Sequence, residues 1–156
     1  MAGKVSAGLL LYRRRAGKIE VLIVHPGGPL FQKKDAGAWS IPKGEAAQGE
    51  DLLERALIEF REELGVAPPT EGYVPLGSVK QKGGKTVHAW AVKGDFAGPA
   101  RSNSFAMEWP PRSGKMAEFP EVDRAEWFGL AEARAKLNDA QAAFVDLLLE
   151  RVESQG

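Results

Sequence analysis

Glu59, Glu62 and Glu63 stand at spacings that put three carboxylates on one sector of a helix, because an α-helix turns about 100° per residue. Over the same stretch Leu53, Ala56, Leu57, Phe60 and Leu64 gather roughly a third of a turn away, so one side packs while the other is acidic. A solvated acidic face would read the same way, since like charges at i,i+4 cost an exposed helix only about 0.2–0.5 kcal/mol. A partly enclosed fan behaves differently. At an effective dielectric near 20, two bare carboxylates about 5 Å apart repel by roughly 3 kcal/mol, and they take up protons, splay, or hold a cation. Hard divalent ions want such oxygen donors, and magnesium accepts one or two carboxylates while keeping waters.

A loop and a helix must position these groups. Asp51 followed by Glu54 has the form of a helix N-terminal cap, so the helix is expected to begin near there and to stop at Gly65, with Pro68 and Pro69 beyond. Ahead of it, Ala38-Trp39-Ser40-Ile41-Pro42-Lys43-Gly44-Glu45 reads as a short extended piece. Pro42 and Gly44 set a turn that can offer backbone carbonyls to a metal, and Lys43 can meet a phosphate as a point charge. Trp39 reads as a core anchor beneath this loop rather than a base-stacking surface.

Taken together, Gly44, Glu50, Glu59, Phe60, Glu62, Glu63, Gly65 and Val66 resemble the Nudix box, G-x5-E-x7-R-E-U-x-E-E-x-G-U with U a bulky apolar residue; Ile58 stands where that pattern has arginine. The preceding W-x-I-P-K-G-E is similar to what diadenosine polyphosphate hydrolases and diphosphoinositol phosphatases carry. The resemblance implies an α/β protein of Nudix fold, an α/β/α sandwich with a central mixed β-sheet, as a single hydrolase domain over residues 1–156. It further implies Mg2+-dependent cleavage of a phosphoanhydride in a nucleoside or dinucleoside polyphosphate, by water attacking phosphorus, with Mn2+ able to substitute. Sugar nucleotides, diphosphoinositol polyphosphates, or a nucleotide-binding module without catalysis stay open.

The same resemblance assigns the residues. Glu59, Glu62 and Glu63, with the Gly44 backbone, are the implied metal ligands, and Glu50 supports them. Arg55, one turn before Glu59 in the same sector, is the candidate to replace the arginine absent at Ile58, so Arg55 and Glu50 are read as orienting residues. The tail, from Glu121 to Trp127-Phe128-Gly129-Leu130, is also similar to the family's and nominates Glu121 beside Glu59, Glu62 and Glu63 as catalytic, as a further ligand or base; Glu118 is second choice. Which carboxylate deprotonates the water is left open.

Composition bounds the alternatives. The chain has 156 residues, 44% hydrophobic and 27% charged, which suits one domain with a real core. Its 21 basic and 21 acidic side chains balance, which argues against a general binder of nucleic acid duplexes or of membrane surfaces. There are no cysteines, so disulfides and thiolate metal sites are excluded. The apolar run Ala7–Tyr12 is too short to span a bilayer and precedes its arginines, the wrong order for a secretory signal, so a cytoplasmic monomer or homodimer acting on a small phosphorylated molecule is expected.

The rest of the chain is read as follows. Val5–Tyr12 and Ile19–Val24 are strands buried on both faces and joined by a basic turn, and His25 closes the second of them. Tyr73–Lys80 and Thr86–Phe96 are two further strands around a Gly-containing turn, whose Lys82 and Lys85 are candidate phosphate contacts. His88 and Trp90 share one face of the second. Ala97–Phe119 shows no clear period and reads as a long loop, in which Trp109 and Arg112 are candidate substrate contacts by stacking and phosphate binding. A last strand near Glu126-Trp127-Phe128, a short helix over Leu130–Leu137 and a final helix capped by Asn138 and Gln141 complete the chain; Ala140, Ala143, Phe144, Leu147, Leu148 and Val152 are its expected packing face.

Overall fold

The first two apolar runs form β1 (Val5–Arg15) and β2 (Lys18–Pro26), an antiparallel hairpin in the computed structural model, which describes residues 3–154. The arginines expected in a turn lie inside β1: Arg15 pairs with Lys18, and only Ala16 and Gly17, both at positive φ, make the turn. A two-residue turn of that kind matches the natural twist of the strands, so the ladder runs to the tip. After β3 (Lys43–Glu45) and the helix α1 (Leu52–Leu64) come β4 (Val74–Lys80) and β5 (Thr86–Lys93), shorter at its end than the sequence suggested. β8 (Val122–Gly129) follows a separate pair, β6 (Ser104–Glu108) and β7 (Met116–Pro120).

The main sheet runs β4-β5-β1-β2-β8, with β1 and β5 parallel and the other pairs antiparallel. Its centre is split. β1 pairs with β2 only from Leu11 to Arg15, and with β3 at Ser6 to Gly8. Into the gap comes the segment 40–45: Ser40 exchanges both backbone bonds with Val24, and the Pro42 carbonyl accepts from the Leu9 amide. Lys43 and Gly44, the latter expected in a turn, are instead extended in β3 and paired with β1 in the middle of the sheet.

Side chains alternate across β1 and β2, so Ala7, Leu9, Leu11, Leu22 and Val24 face one side and Leu10, Val21 and Ile23 the other. On the first side lie Ala56, Phe60 and Leu64 of α1. On the second lie α2 (Leu130–Lys136) and α3 (Ala142–Ser154), linked by a 3₁₀ turn at Asp139–Gln141. The result is an α/β/α sandwich around a mixed sheet, as expected. In α3 the buried positions are Phe144, Val145, Leu148 and Val152, whereas Ala143 faces solvent. Asn138 caps the 3₁₀ turn through the Ala140 amide, and Gln141, expected to share in capping, is buried and bonded elsewhere.

The expected loop over 97–119 is in large part the β6–β7 hairpin. Phe105 and Met107 alternate with exposed neighbours, as do Ala117 and Phe119, a period of two confined to two five-residue strands. That pattern is too short to stand out against the prolines around it.

Candidate functional site

Helix α1 starts and stops where its sequence dictates. Asp51 accepts from the Glu54 amide at 3.0 Å, and Gly65 ends the helix in the left-handed region at φ 78°, its amide bonded to the Arg61 carbonyl. With the apolar stripe buried, the Glu59 and Glu63 carboxylates turn toward β3, while Glu62 is exposed. Arg55 ties two of them together: its guanidinium lies 2.7 and 2.9 Å from Glu50 Oε2 and 3.1 Å from Glu59 Oε1. Arg55 therefore supports Glu59 geometrically, and its hydrogen bond, followed by that of the Ala47 amide, holds Glu50 below the usual carboxylate range. Ile58 is 42% exposed in a shallow groove with Glu54 and Glu62, away from this triad.

The loop meets the helix at two points. The Lys43 amide donates to Glu63 Oε2 at 2.8 Å. Beside it the Glu59 carboxyl lies against Gly44 so closely that a Cβ there would fall 1.9 Å from the Glu59 Cδ. Burial pushes the Glu63 carboxyl up to about 8, against the pull of the Lys43 amide, with the negative charges of Glu59 and Glu121 adding to the rise and the Lys43 ammonium opposing it. Glu59 is raised as well, first by burial, with the charges of Glu62 and Glu121 adding to it and Arg55 opposing. The Lys43 ammonium is lowered, first by burial, and it senses Glu63, Lys85 and Glu59.

Glu121 reaches this cluster through the backbone. The Asn103 amide donates to the Glu62 carbonyl at 3.1 Å, the Glu121 amide to the Asn103 carbonyl at 2.9 Å, and the Gly27 amide to the Glu121 carbonyl at 3.0 Å. Arg101 likewise donates to the Leu64 carbonyl, so residues 101–103 satisfy carbonyls that the end of α1 leaves open. The exposed Glu121 side chain is thus held at the C-terminal end of the box helix, where its charge acts on both Glu59 and Glu63.

Other candidates are not gathered there. Lys85 lies within electrostatic reach of Lys43, but Lys82 borders a separate hollow of about 590 Å3 with Lys80, Gln81 and Asn138. Trp109 and Arg112 sit at the tip of the β6–β7 hairpin, where the Arg112 amide donates to Glu108 and the Trp109 amide to the Lys115 carbonyl, both partners within the hairpin. Glu45 turns outward, 3.8 Å from Lys4. His25 is fully buried, its ring nitrogens 2.8 Å from Asp123 Oδ1 and 2.7 Å from the Lys34 carbonyl, so it closes the strand as expected. Trp39 is a core anchor at 1% exposure, with its indole N–H on Asp35. His88 and Trp90 share the face that carries α1. Asn103, Gly27 and Gln141 escape sequence reasoning because their roles rest on bonds to residues far along the chain, which leave no local pattern.

Among the described residues, no three acidic or histidine side chains converge as a preformed ion cage. Glu59 and Glu63 are held by Arg55 and by the loop amide, and Glu62 is exposed. The donor set nonetheless fits a hard divalent ion: every available atom is oxygen, and the raised proton affinity of Glu63 and Glu59 marks negative charge crowded in a partly dry place.

The chain is 38% identical over 61 residues, 39% of its own length and 40% of the relative's, to a bis(5'-nucleosyl)-tetraphosphatase (asymmetrical) of Caenorhabditis elegans. It is 32% identical over 115 residues, 68% of its length and 23% of the relative's, to a nucleoside triphosphate pyrophosphatase/Nudix hydrolase fusion protein of Bifidobacterium longum. It therefore spans less than half the length of these curated relatives. The crystal structure of a C. elegans Ap4A hydrolase binary complex superposes with a TM-score of 0.67 at 21% identity, covering 97% of this chain and 98% of that one, which shows a shared fold. No helix of the described residues is long and apolar enough to cross a membrane. With the family model for the NUDIX domain matching residues 3–148, the chain belongs to the NUDIX domain family.

Proposed function

We propose that the chain is a divalent-cation-dependent pyrophosphohydrolase that cleaves a phosphoanhydride in a nucleoside polyphosphate or dinucleoside polyphosphate by attack of water on phosphorus. The observation that carries this reading is the meeting of Glu59 and Glu63 with Lys43 and Gly44 of β3, where burial raises both carboxyls in spite of Arg55 and the Lys43 amide. The names of the two relatives, both hydrolases of nucleotide polyphosphates, support the substrate class.

Each residue then has a task. Glu59, Glu62 and Glu63, with the Gly44 backbone, hold Mg2+ or Mn2+, which when bound supplies charge neutralisation on the phosphate oxygens and a more acidic water. Arg55 and Glu50 fix the Glu59 rotamer. Lys43 and Lys85 offer positive charge to the phosphates beside the carboxylates, and Lys82, Trp109 and Arg112 serve more distant parts of the substrate. Glu121, an exposed carboxylate with no side-chain hydrogen bond among the described residues, accepts the proton of the attacking water.

The test is a panel of nucleoside triphosphates, dinucleoside polyphosphates, sugar nucleotides and inositol pyrophosphates, assayed for product with and without Mg2+, in H2(18)O to locate the attacked phosphorus. Turnover that needs the cation and favours the first two classes is expected. Tight binding with no turnover at any pH would instead mark a binding module.

A further inference from the structure

We infer that Gln141, on the far side of the sheet from the carboxylates, is a positioning residue: its buried amide sets where Lys43 and Gly44 lie under Glu63 and Glu59 and ties that loop to the lysine-bearing β4–β5 turn. The inference rests on the reading above for its catalytic consequence, and on hydrogen bonds alone for its geometry.

Gln141 is 1% exposed and uses its amide fully. Its Oε1 accepts from the Ile41 amide at 2.9 Å, and its Nε2 donates to Ser40 Oγ at 3.1 Å and to Gln81 Oε1 at 2.8 Å. The segment that fills the gap between β1 and β2 is held almost throughout by backbone. The Trp39 amide donates to the Lys136 carbonyl and Trp39 accepts from the Asn138 amide; Ser40 pairs with Val24, Pro42 with Leu9, and residues 43–45 with β1. Ile41 is the exception. Its amide faces the turn between α2 and α3 at the next step of that ladder, and the Gln141 side chain stands where a strand's carbonyl would be.

Two residues later, the Lys43 amide holds Glu63, and Gly44 receives the Glu59 carboxyl. A slip at Ile41 therefore moves the floor on which both carboxylates rest. The second arm of the same amide reaches Gln81, the first residue of the turn that ends at Lys85, whose charge Lys43 senses. One side chain thus joins the cationic edge of the site to its acidic centre. A buried amide in a purely structural role would need only satisfied bonds; this one spans the two segments whose spacing a polyphosphate would measure.

Four proteins test it: wild type, Gln81→Leu, Gln141→Leu, and Val145→Ala as a core change on the same helix. Gln81→Leu should raise KM about fivefold with kcat kept, the effect of one neutral hydrogen bond. Gln141→Leu should lower kcat at least tenfold, because it leaves the Ile41 amide unsatisfied, and should weaken Mn2+ binding to the metal-free protein, read from loss of the free-ion electron paramagnetic resonance signal. Val145→Ala should lower the melting temperature and leave kcat, KM and Mn2+ affinity unchanged.

A folded Gln141→Leu with wild-type Mn2+ affinity, and kcat and KM within about twofold, would overturn the inference. If Gln141→Leu does not fold, an unchanged KM in Gln81→Leu overturns it and a raised KM upholds it. Should the wild type turn over nothing, the functional reading falls, while the Mn2+ titration still decides the positioning role.

Discussion

Adding Mg2+ to the metal-free protein near pH 7 should release close to one proton per site. Burial pushes the Glu63 carboxyl up to about 8, so one unit lower about nine sites in ten carry the proton, and an ion can bind only after it leaves. Apparent affinity should then rise about tenfold per pH unit between about pH 6 and 8 and level off above. Because Glu59 is raised as well and its charge acts on Glu63, the released proton belongs to the two carboxyls together.

Stability must follow with a defined sign. A carboxyl raised on folding keeps its proton after the unfolded chain has lost it, so its stabilising contribution is greatest below about pH 4.5 and falls as pH rises toward about 8, by at most a few kcal/mol. Saturating Mg2+ should flatten that slope. Calorimetric titrations in two buffers of different ionisation enthalpy give the proton count, and melts near pH 5 and pH 9 give the slope. Glu63→Gln should release markedly less than the wild type, leaving only what the raised Glu59 carboxyl gives up. A wild-type release near zero, with equal affinity at pH 6 and 8, would refute the assignment of a protonated carboxyl beside β3.

Further outcomes follow from the same geometry. Gly44→Ala should lower kcat about a hundredfold or more while shifting the melting temperature by only a few degrees, since the new methyl displaces the flexible end of Glu59 rather than backbone. Arg55→Ala should lower kcat about tenfold or more by freeing Glu59, whereas Ile58→Arg should change it less than about threefold, because that position opens onto Glu54 and Glu62. In steady-state kinetics, Glu121→Gln should lower kcat by about two to four orders of magnitude with Mg2+ affinity nearly kept. Lys85→Ala should raise KM for a polyphosphate substrate more than Lys82→Ala does, as Lys85 alone is within reach of Lys43.

The local features of the site were legible from residue types and offsets. Asp51 and Gly65 bound the helix because a cap and a left-handed stop act within four residues, and Arg55 meets Glu59 because i,i+4 side chains on a helix are neighbours. The strands of the main sheet were legible too, since Val, Ile and Leu run on without alternation where both faces are covered. The short alternation of Phe105 with Met107 and of Ala117 with Phe119 was not, and a hairpin was read as a loop.

By itself, then, the chain's order of residues determined the acidic helix, its two ends and its arginine partner, all products of periodicity and short-range hydrogen bonding, while the sandwich around them came from the resemblance to a known family. Only the tertiary structure decided that Glu121 hangs from Glu62 through Asn103, that Lys85 rather than Lys82 neighbours Lys43, and that Gln141 holds Ile41 from a hundred residues away in sequence. Such contacts depend on strand register and on where the sheet opens, and a register is a property of two segments at once, so neither segment displays it alone.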